Sequence, residues 1–112
     1  MLKNLNRNSG KFKFLFNFHF AKCINVLVPT ANNFEEIELM SIVGILRRAQ
    51  MKVDLVSITD NRTIRGLAGV EVRCDKVYDQ ISEKEYDLIV LAGGYRNANE
   101  LSRHNPLITK LK

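Results

Sequence analysis

The sequence predicts an α/β fold in which helices pack against a parallel sheet. Three runs of mainly apolar residues are typical of buried strands, at residues 24–28, 52–58 and 86–94. A segment with helical signals separates the first two runs. Strands joined through a helix pair in parallel by a right-handed crossover, so this order of elements favours an α/β sandwich.

The first strand and the first helix are marked by local signals. Residues Ile24–Val28 form a β-branched run that Pro29 closes. Asn33 is a good N-cap residue, and Glu36, three positions later, approaches the capping-box pattern. We therefore expect a helix over Phe34–Ala49.

The remaining elements suggest that the domain is larger than the sequence. Lys52–Ile58 is the second predicted strand, and Gly69–Asp75, after a polar turn region, is an edge strand or a hairpin arm. Tyr86–Gly94 is the clearest strand. Asn105–Pro106 is a strong helix start just before the last residues. Residues 23–112 are therefore expected to be the N-terminal portion of an apparently truncated domain.

Residues 1–22 form a basic, Phe-rich leader. Phenylalanine stands at every second position from Phe12 to Phe20, which is a strand period and a poor match to an amphipathic mitochondrial presequence. The apolar run is too short to span a membrane. Three interpretations stay open: an organellar targeting peptide, an added edge strand, or sequence that is not part of the domain.

Composition excludes several classes of function. The net charge of +5 equals the five basic residues of the acid-free leader, so the body of the chain is balanced and predicts no nucleic-acid partner. Because the apolar run of the leader is too short to span a membrane, we expect no membrane partner either. The two cysteines are too few for a disulfide framework or a metal site, which favours a reducing compartment and a cytoplasmic location. Neither GxGxxG nor a Walker sequence is present, so we expect no cofactor.

Three carboxylates open the predicted helix. Glu35 and Glu36 suit the positive end of the helix dipole. Glu38 fits this explanation less well, because it begins a helical stripe that is otherwise apolar and is expected to face inward: Ile42, Ile45 and Ala49. A carboxylate at the rim of a core, just past the carboxyl end of the first strand, lies where open α/β sheets bind ligands. Glu38 is therefore a candidate proton donor or base.

The Gly93–Gly94 pair ends the clearest strand. Glycines let the backbone turn sharply and offer N–H groups that could hold a developing oxyanion. A simple turn is the alternative interpretation.

Several motifs together indicate a family. The sequence contains four motifs whose order and spacings match those of one family: INVLVPTANNFEEIE, ILRRAQMKVDLVSI, GVEVRCD and YDLIVLAGG. Residues 23–112 thereby resemble the ThiJ/PfpI superfamily, in the branch related to the parkinsonism-associated protein deglycase. The resemblance implies a flavodoxin-like, class I glutamine amidotransferase-like fold and a homodimer. It also implies a redox-responsive glyoxalase or deglycase that acts on small reactive carbonyls.

The resemblance assigns roles to residues of both motifs. The last acid of the family's EE-x-E motif, here Glu38, is protonated beside a catalytic cysteine. The family's Gly pair, here Gly93 and Gly94, supplies backbone N–H groups near that cysteine. Leu67 and Ala68 stand where the family often has a Ser-Arg pair.

The family's nucleophile is a cysteine at a strand-to-helix elbow, following the helix that starts here at Pro106. Cys23 precedes the first strand and Cys74 lies in the edge-strand region, so neither occupies that elbow. Neither His19 nor His104 matches the family's partner histidine. We therefore expect the chain to be inactive alone, because covalent chemistry on an aldehyde needs a positioned thiolate.

The alternative is a non-catalytic dimerisation or interaction module. The truncated sheet would then expose the apolar face of Leu88–Ala92, which a stable protein rarely leaves uncovered. A third class, a receiver-like or nucleotide-binding α/β domain, needs an acidic pair or a phosphate loop after the first strand, and Pro29–Asn33 offers neither.

Overall fold

A computed structural model describes residues 23–112. The elements in chain order are β1 (Asn25–Thr30), α1 (Glu36–Arg48), β2 (Lys52–Ser57), β3 (Thr63–Arg65), β4 (Glu71–Arg73), β5 (Lys76–Val77), a 3-10 helix (Tyr78–Ile81), β6 (Leu88–Ile89), α2 (Tyr95–Arg103) and α3 (Asn105–Leu111).

Four strands form a parallel sheet in the order β5-β2-β1-β6. The other two, β3 and β4, form an antiparallel hairpin. β1 is central: it pairs with β2 from Asn25↔Lys52 to Thr30↔Ser57, and with β6 at Val26↔Leu88 and Leu27↔Ile89. The parallel α/β sandwich is confirmed. Because the chain moves outward from β1 to β2 and then returns to the other side of β1, the strand order reverses between β1 and β6.

Alternate residues of β1 supply two cores on opposite faces of the sheet. Val26 and Val28 pack with Leu39 and Val43 of α1 and with the hairpin. Leu27 packs on the other face, with Leu101 of α2, Leu107 of α3 and the 3-10 helix. The sheet is therefore covered on both sides, as a fully parallel sheet requires.

β1 continues through Pro29, which the sequence analysis expected to close it. The carbonyls of Ile24 and Thr30 accept hydrogen bonds from the β2 side, and those of Asn25 and Leu27 accept from the β6 side. By this alternation Pro29 faces the β6 side, beyond the last β6 residue that pairs. The missing N–H of proline therefore costs no ladder bond there.

The start of α1 also differs from the expectation. Asn33 is not the N-cap; its φ is 66°, in the left-handed region, and its N–H donates to the carbonyl of Arg65 at 2.7 Å. The N-cap is Glu35, so α1 begins at Glu36. Local capping preference was overridden here because the loop must also pair with the β3–β4 hairpin.

Two later assignments need correction, and one alternative is confirmed. The segment expected to be a polar turn contains β3. The hairpin arm predicted within Gly69–Asp75 is confirmed as β4, the second arm of that hairpin, although it is shorter than expected. The strand predicted over Tyr86–Gly94 is only Leu88–Ile89, because the backbone leaves the sheet after the N–H of Val90 bonds to Leu27. Leu88 and Leu91 are 43% and 50% exposed at this edge.

The end of the chain holds two helices where one was expected. α2 was not predicted, since only Asn97 and Leu101 of its residues are buried and its sequence is strongly polar. α3 was predicted, but its N-cap is His104, whose Nδ1 accepts the N–H of Leu107 at 3.2 Å, and Asn105 and Pro106 are already inside the helix.

Asp54 joins β2 to the segment that precedes β6. Its Oδ2 accepts hydrogen bonds from the Tyr86 hydroxyl at 2.6 Å and from Lys84 Nζ at 2.8 Å, and Lys76 Nζ lies 3.5 Å away. Burial alone would raise the pKa of Asp54, but the Lys84 and Tyr86 hydrogen bonds and the lysine charges outweigh it and lower that pKa.

Over residues 23–112, no helix is long and apolar enough to cross a membrane. The prediction of a leader at residues 1–22 lies outside the described residues.

Candidate active site

The two motifs singled out in the sequence meet at one place. α1 follows β1 and the Gly93–Gly94 turn follows β6, and both stand at the carboxyl ends of adjacent parallel strands. The strand order reverses between these two strands, which is where open α/β sheets form a crevice for ligands. The side chain of Glu38 reaches across this crevice and contacts Gly93.

Glu35 has a structural role in this arrangement. Its Oε2 accepts the N–H of Glu38 at 2.7 Å, which satisfies one of the free donors of the first turn of α1. Its own N–H donates to the carbonyl of Gly93 at 3.3 Å. Glu35 therefore caps α1 and also ties the helix start to the glycine turn.

Glu36 holds the tip of the β3–β4 hairpin. Its Oε2 accepts the N–H of Ala68 at 2.7 Å and that of Val70 at 3.2 Å. A Cβ at Gly66 would overlap this carboxylate, so the close approach requires glycine there. The favourable interaction of Glu36 with the helix dipole, expected from the sequence, therefore explains only part of its role.

Glu38 is free of such structural bonds. Over the described part of the chain its carboxylate oxygens make no hydrogen bond and no ion pair, although they lie against Gly93. The expectation that it begins an inward-facing stripe is wrong, because Glu38 is exposed and Ile45 on the same stripe is 62% exposed. The buried residues of α1 are Leu39 and Val43. Glu38 is thus an accessible carboxylate at the rim of the crevice.

The glycine turn is constrained by what surrounds it. A Cβ at Gly93 would overlap the Glu38 carboxylate. Gly94 has φ 108°, and a Cβ there would come 3.0 Å from the carbonyl oxygen of Asn33. Both glycines accept hydrogen bonds through their carbonyls, whereas within residues 23–112 neither amide N–H has a partner. The turn therefore presents two free donors beside an unengaged carboxylate.

Asn97 fixes the turn to β1 and was missed by the sequence analysis. It is fully buried; its Oδ1 accepts the N–H of Ala31 at 2.8 Å, and its Nδ2 donates to the carbonyls of Ala92 and Gly93 at 3.2 and 3.4 Å. One side chain thus joins the carboxyl ends of β1 and β6. The sequence did contain a signal for Asn97: it lies four positions before Leu101, so both residues belong to the one face of α2 that packs inward.

Neither cysteine adjoins this site in a reactive form. Cys74 is fully buried in the core between the hairpin and the sheet. Burial, and secondarily the charge of Asp75, raise the pKa of its thiol to about 12, and Arg62 offsets this only in part. Cys23 is exposed but precedes β1, at the opposite end of that strand from the glycine turn. Among the described residues no group of His, Cys, Asp and Glu could hold a metal ion.

Comparison with known proteins identifies the family. The family model described as DJ-1/PfpI matches residues 24–112. The chain belongs to the DJ-1/PfpI family. The family match covers nearly all of the described residues, so the sheet and the Glu38–Gly93 contact both lie within the DJ-1/PfpI domain.

Relatives in this family are similar in sequence and structure. Protein DJ-1 homolog A of Arabidopsis thaliana is 32% identical over 96 residues, covering 86% of this chain and 24% of that protein. Deglycase PH1704 of Pyrococcus horikoshii is 35% identical over 71 residues, or 63% of this chain and 42% of that protein. Oxidized DJ-1 of Toxoplasma gondii superposes with a TM-score of 0.77 at 36% identity, covering 80% of this chain and 48% of that one. The chain therefore spans less than half the length of these relatives.

Proposed function

We propose that this chain provides the acid and the oxyanion-binding half of a carbonyl-processing site of the glyoxalase and deglycase type. The observation that supports this most directly is the contact between Glu38 and Gly93 at the point where the strand order reverses. The family supplies the reaction class, since one relative is named a deglycase. The substrate class is a small reactive carbonyl such as methylglyoxal.

The chemistry assigns one task to each group. A thiolate attacks the aldehyde carbon, forming a C–S bond while the C=O π electrons move to oxygen. The amides of Gly93 and Gly94 stabilise the resulting oxyanion by hydrogen bonds. Glu38 transfers the proton to that oxygen and can later take one back as a base. The unengaged state of these groups in residues 23–112 supports the assignment.

The thiolate is the missing component. Cys74 is buried with a raised pKa, and Cys23 lies at the far end of β1, so neither can reach a carbonyl held at the glycine turn. We therefore propose that the 112-residue chain alone does not turn over methylglyoxal. Robust turnover that Cys74→Ser abolishes would contradict both the site and this proposal.

The experiment that tests the function begins with the protein in its own cells. An antibody against residues 86–100 is used to isolate it, and its mass and its conversion of methylglyoxal are measured. A species of about 20 kDa, the size of one domain of this class, with activity that Glu38→Ala reduces about 100-fold or more, supports the proposal. Glu35→Ala is the matched control and should retain activity. An active form that is indifferent to Glu38→Ala would refute the role of Glu38.

A second candidate is a non-catalytic homodimerisation module, and an exposed apolar surface favours it. On α1, Ile37 is 76% exposed, and Met40 and Ile45 are also exposed. Leu67 and Val70 at the hairpin tip are exposed too, and Glu36 holds that tip against the start of α1. We call these five residues the α1 face. Contiguous exposed apolar patches of this kind mark interfaces.

Sedimentation equilibrium tests the second candidate. The chain should sediment as a dimer of its 12.8 kDa mass, and Ile37→Ser with Ile45→Ser should give a monomer. Leu111→Ser is the control, because Leu111 is also an exposed apolar residue, at 43%, but lies on α3. A parent that stays monomeric at about 100 μM, where even weak homodimers of ~8 kcal/mol form, would exclude the α1 face as a dimer interface.

A further inference from the structure

A second cleft lies on the opposite face of the sheet from Glu38. It occupies the carboxyl ends of β1 and β2, between the loop after β1, the residues Ile58 and Thr59 after β2, and one side of α2. Its volume is about 720 Å³, within the range of small-molecule sites. We call it the α2 cleft. Its position at strand carboxyl ends is one that α/β folds use for ligands.

The α2 side of this cleft is cationic. Arg96, Asn99 and Arg103 follow one another at helical spacing and all line the cleft. Over residues 23–112 neither guanidinium takes part in an ion pair or a hydrogen bond with another residue. Glu100 is the one carboxylate among the lining residues of the described chain, so the arginine charges exceed the acidic charge. Two unpaired guanidiniums facing one concave space favour an anionic ligand.

Neutral donors complete the lining. Asn32 accepts the N–H of Arg65 through Oδ1 at 2.9 Å, which fixes its amide and leaves its NH₂ group to donate. His104 accepts the N–H of Leu107 through Nδ1, so the neutral ring carries its proton on Nε2. Burial lowers the pKa of His104, despite the opposing charge of Asp79, and so favours this neutral form. The ring of Tyr95, 87% exposed, stands at the rim.

We propose that the α2 cleft binds a small molecule with two or more oxyanion groups, held by Arg96 and Arg103. The Cα atoms of residues seven apart on a helix are about 10.5 Å apart, so flexible arginine side chains can bind the two ends of one ligand or converge on adjacent groups. Phosphate and carboxylate oxygens share the required chemistry. The proposal does not depend on carbonyl chemistry, because Glu38 contributes nothing to this cleft.

Calorimetric titration of the 112-residue chain with diphosphate and, separately, with citrate tests the proposal at low ionic strength. Arg96→Gln with Arg103→Gln removes both guanidiniums and leaves shorter, neutral polar side chains that a helix tolerates well. Arg48→Gln with Arg73→Gln is the matched control, since it removes the same charge from exposed residues outside the cleft. Circular dichroism on each variant establishes that it is folded.

We expect the cleft variant to weaken binding at least tenfold and the control variant to change it less than twofold. Tighter binding of diphosphate would assign a phosphate ligand, and tighter binding of citrate a carboxylate ligand; either supports the proposal. Equal weakening in both variants would show that net charge alone attracts the anion and would overturn it. The proposal would also be overturned if neither probe bound the parent chain at a concentration of about 10 mM, which corresponds to a binding free energy weaker than about 3 kcal/mol.

Discussion

Removal of the Asn97 side chain should loosen the whole carboxyl edge of the sheet. In Asn97→Ala the N–H of Ala31 loses its acceptor while it stays buried, since Ala31 is only 2% exposed. The carbonyls of Ala92 and Gly93 lose a shared donor at the same time. One buried donor left without a partner costs about 1–3 kcal/mol, and the truncation also leaves a small cavity.

Together these terms predict a loss of about 2–4 kcal/mol in the free energy of unfolding. That is a large part of the stability of a domain of this size, about 5–15 kcal/mol. In a small domain each kcal/mol lowers the melting temperature by about 4–8 °C. The change should therefore be visible both in urea denaturation and in thermal melts.

The measurement is urea denaturation followed by circular dichroism, with Asn99→Ala as the control. Asn99 lies on the same helix, and its side chain makes no hydrogen bond to the described residues, so its variant should stay within about 0.5 kcal/mol of the parent. Exchange of the Ala31 amide hydrogen should accelerate only in Asn97→Ala. If Asn97→Ala and Asn99→Ala were equally stable, the joining role of Asn97 would be refuted.

Three further outcomes follow from single groups. Glu35→Ala should cost about 1 kcal/mol through loss of the N-cap, whereas Glu38→Ala should be neutral in urea denaturation; a reversed order would contradict their assigned roles. Iodoacetamide should label Cys23 alone in the native chain and Cys74 as well in urea, and rapid native labelling of Cys74 would show that its core opens. The lowered pKa of Asp54 contributes stability that is present above its unfolded value and lost as the pH falls through the folded one. Asp54→Asn should therefore flatten the acid side of a stability profile, and an unchanged slope would argue against the lysine and tyrosine contacts.

The sequence predicted the fold class because strand period and helix length are local properties. The parallel sheet follows from them without knowledge of packing, whereas the central position of β1 is known only from the structure. The predicted ends of strands and helices were wrong where tertiary contacts determine them. Pro29 continues β1 because its partner strand ends early, and Glu35 replaces Asn33 as the N-cap because Asn33 pairs with the hairpin. These choices depend on residues far away in the chain.

The candidate site, too, could be predicted only in part from the sequence. Glu38 and the Gly93–Gly94 pair could be selected from the sequence, since their chemistry is visible in residue type. That they touch is a tertiary fact, produced by the return of β6 to the free side of β1. Asn97 and the α2 cleft were not predicted, because α2 has few apolar residues and the spacing of Asn97 and Leu101 is informative only once a helix is known there.

The three carboxylates at the start of α1 illustrate how one short segment serves packing and chemistry together. The Glu35 carboxylate accepts the N–H of Glu38 and caps the helix, while the Glu35 backbone N–H donates to the carbonyl of Gly93. The Glu36 carboxylate accepts two N–H groups of the hairpin tip. Glu38 is then held in place by the helix while its own oxygens stay free. A carboxylate whose oxygens accept capping hydrogen bonds could not also exchange a proton with a ligand. In the proposed function, this division of roles among neighbouring acids keeps the oxygens of Glu38 available to a ligand while the helix fixes its position.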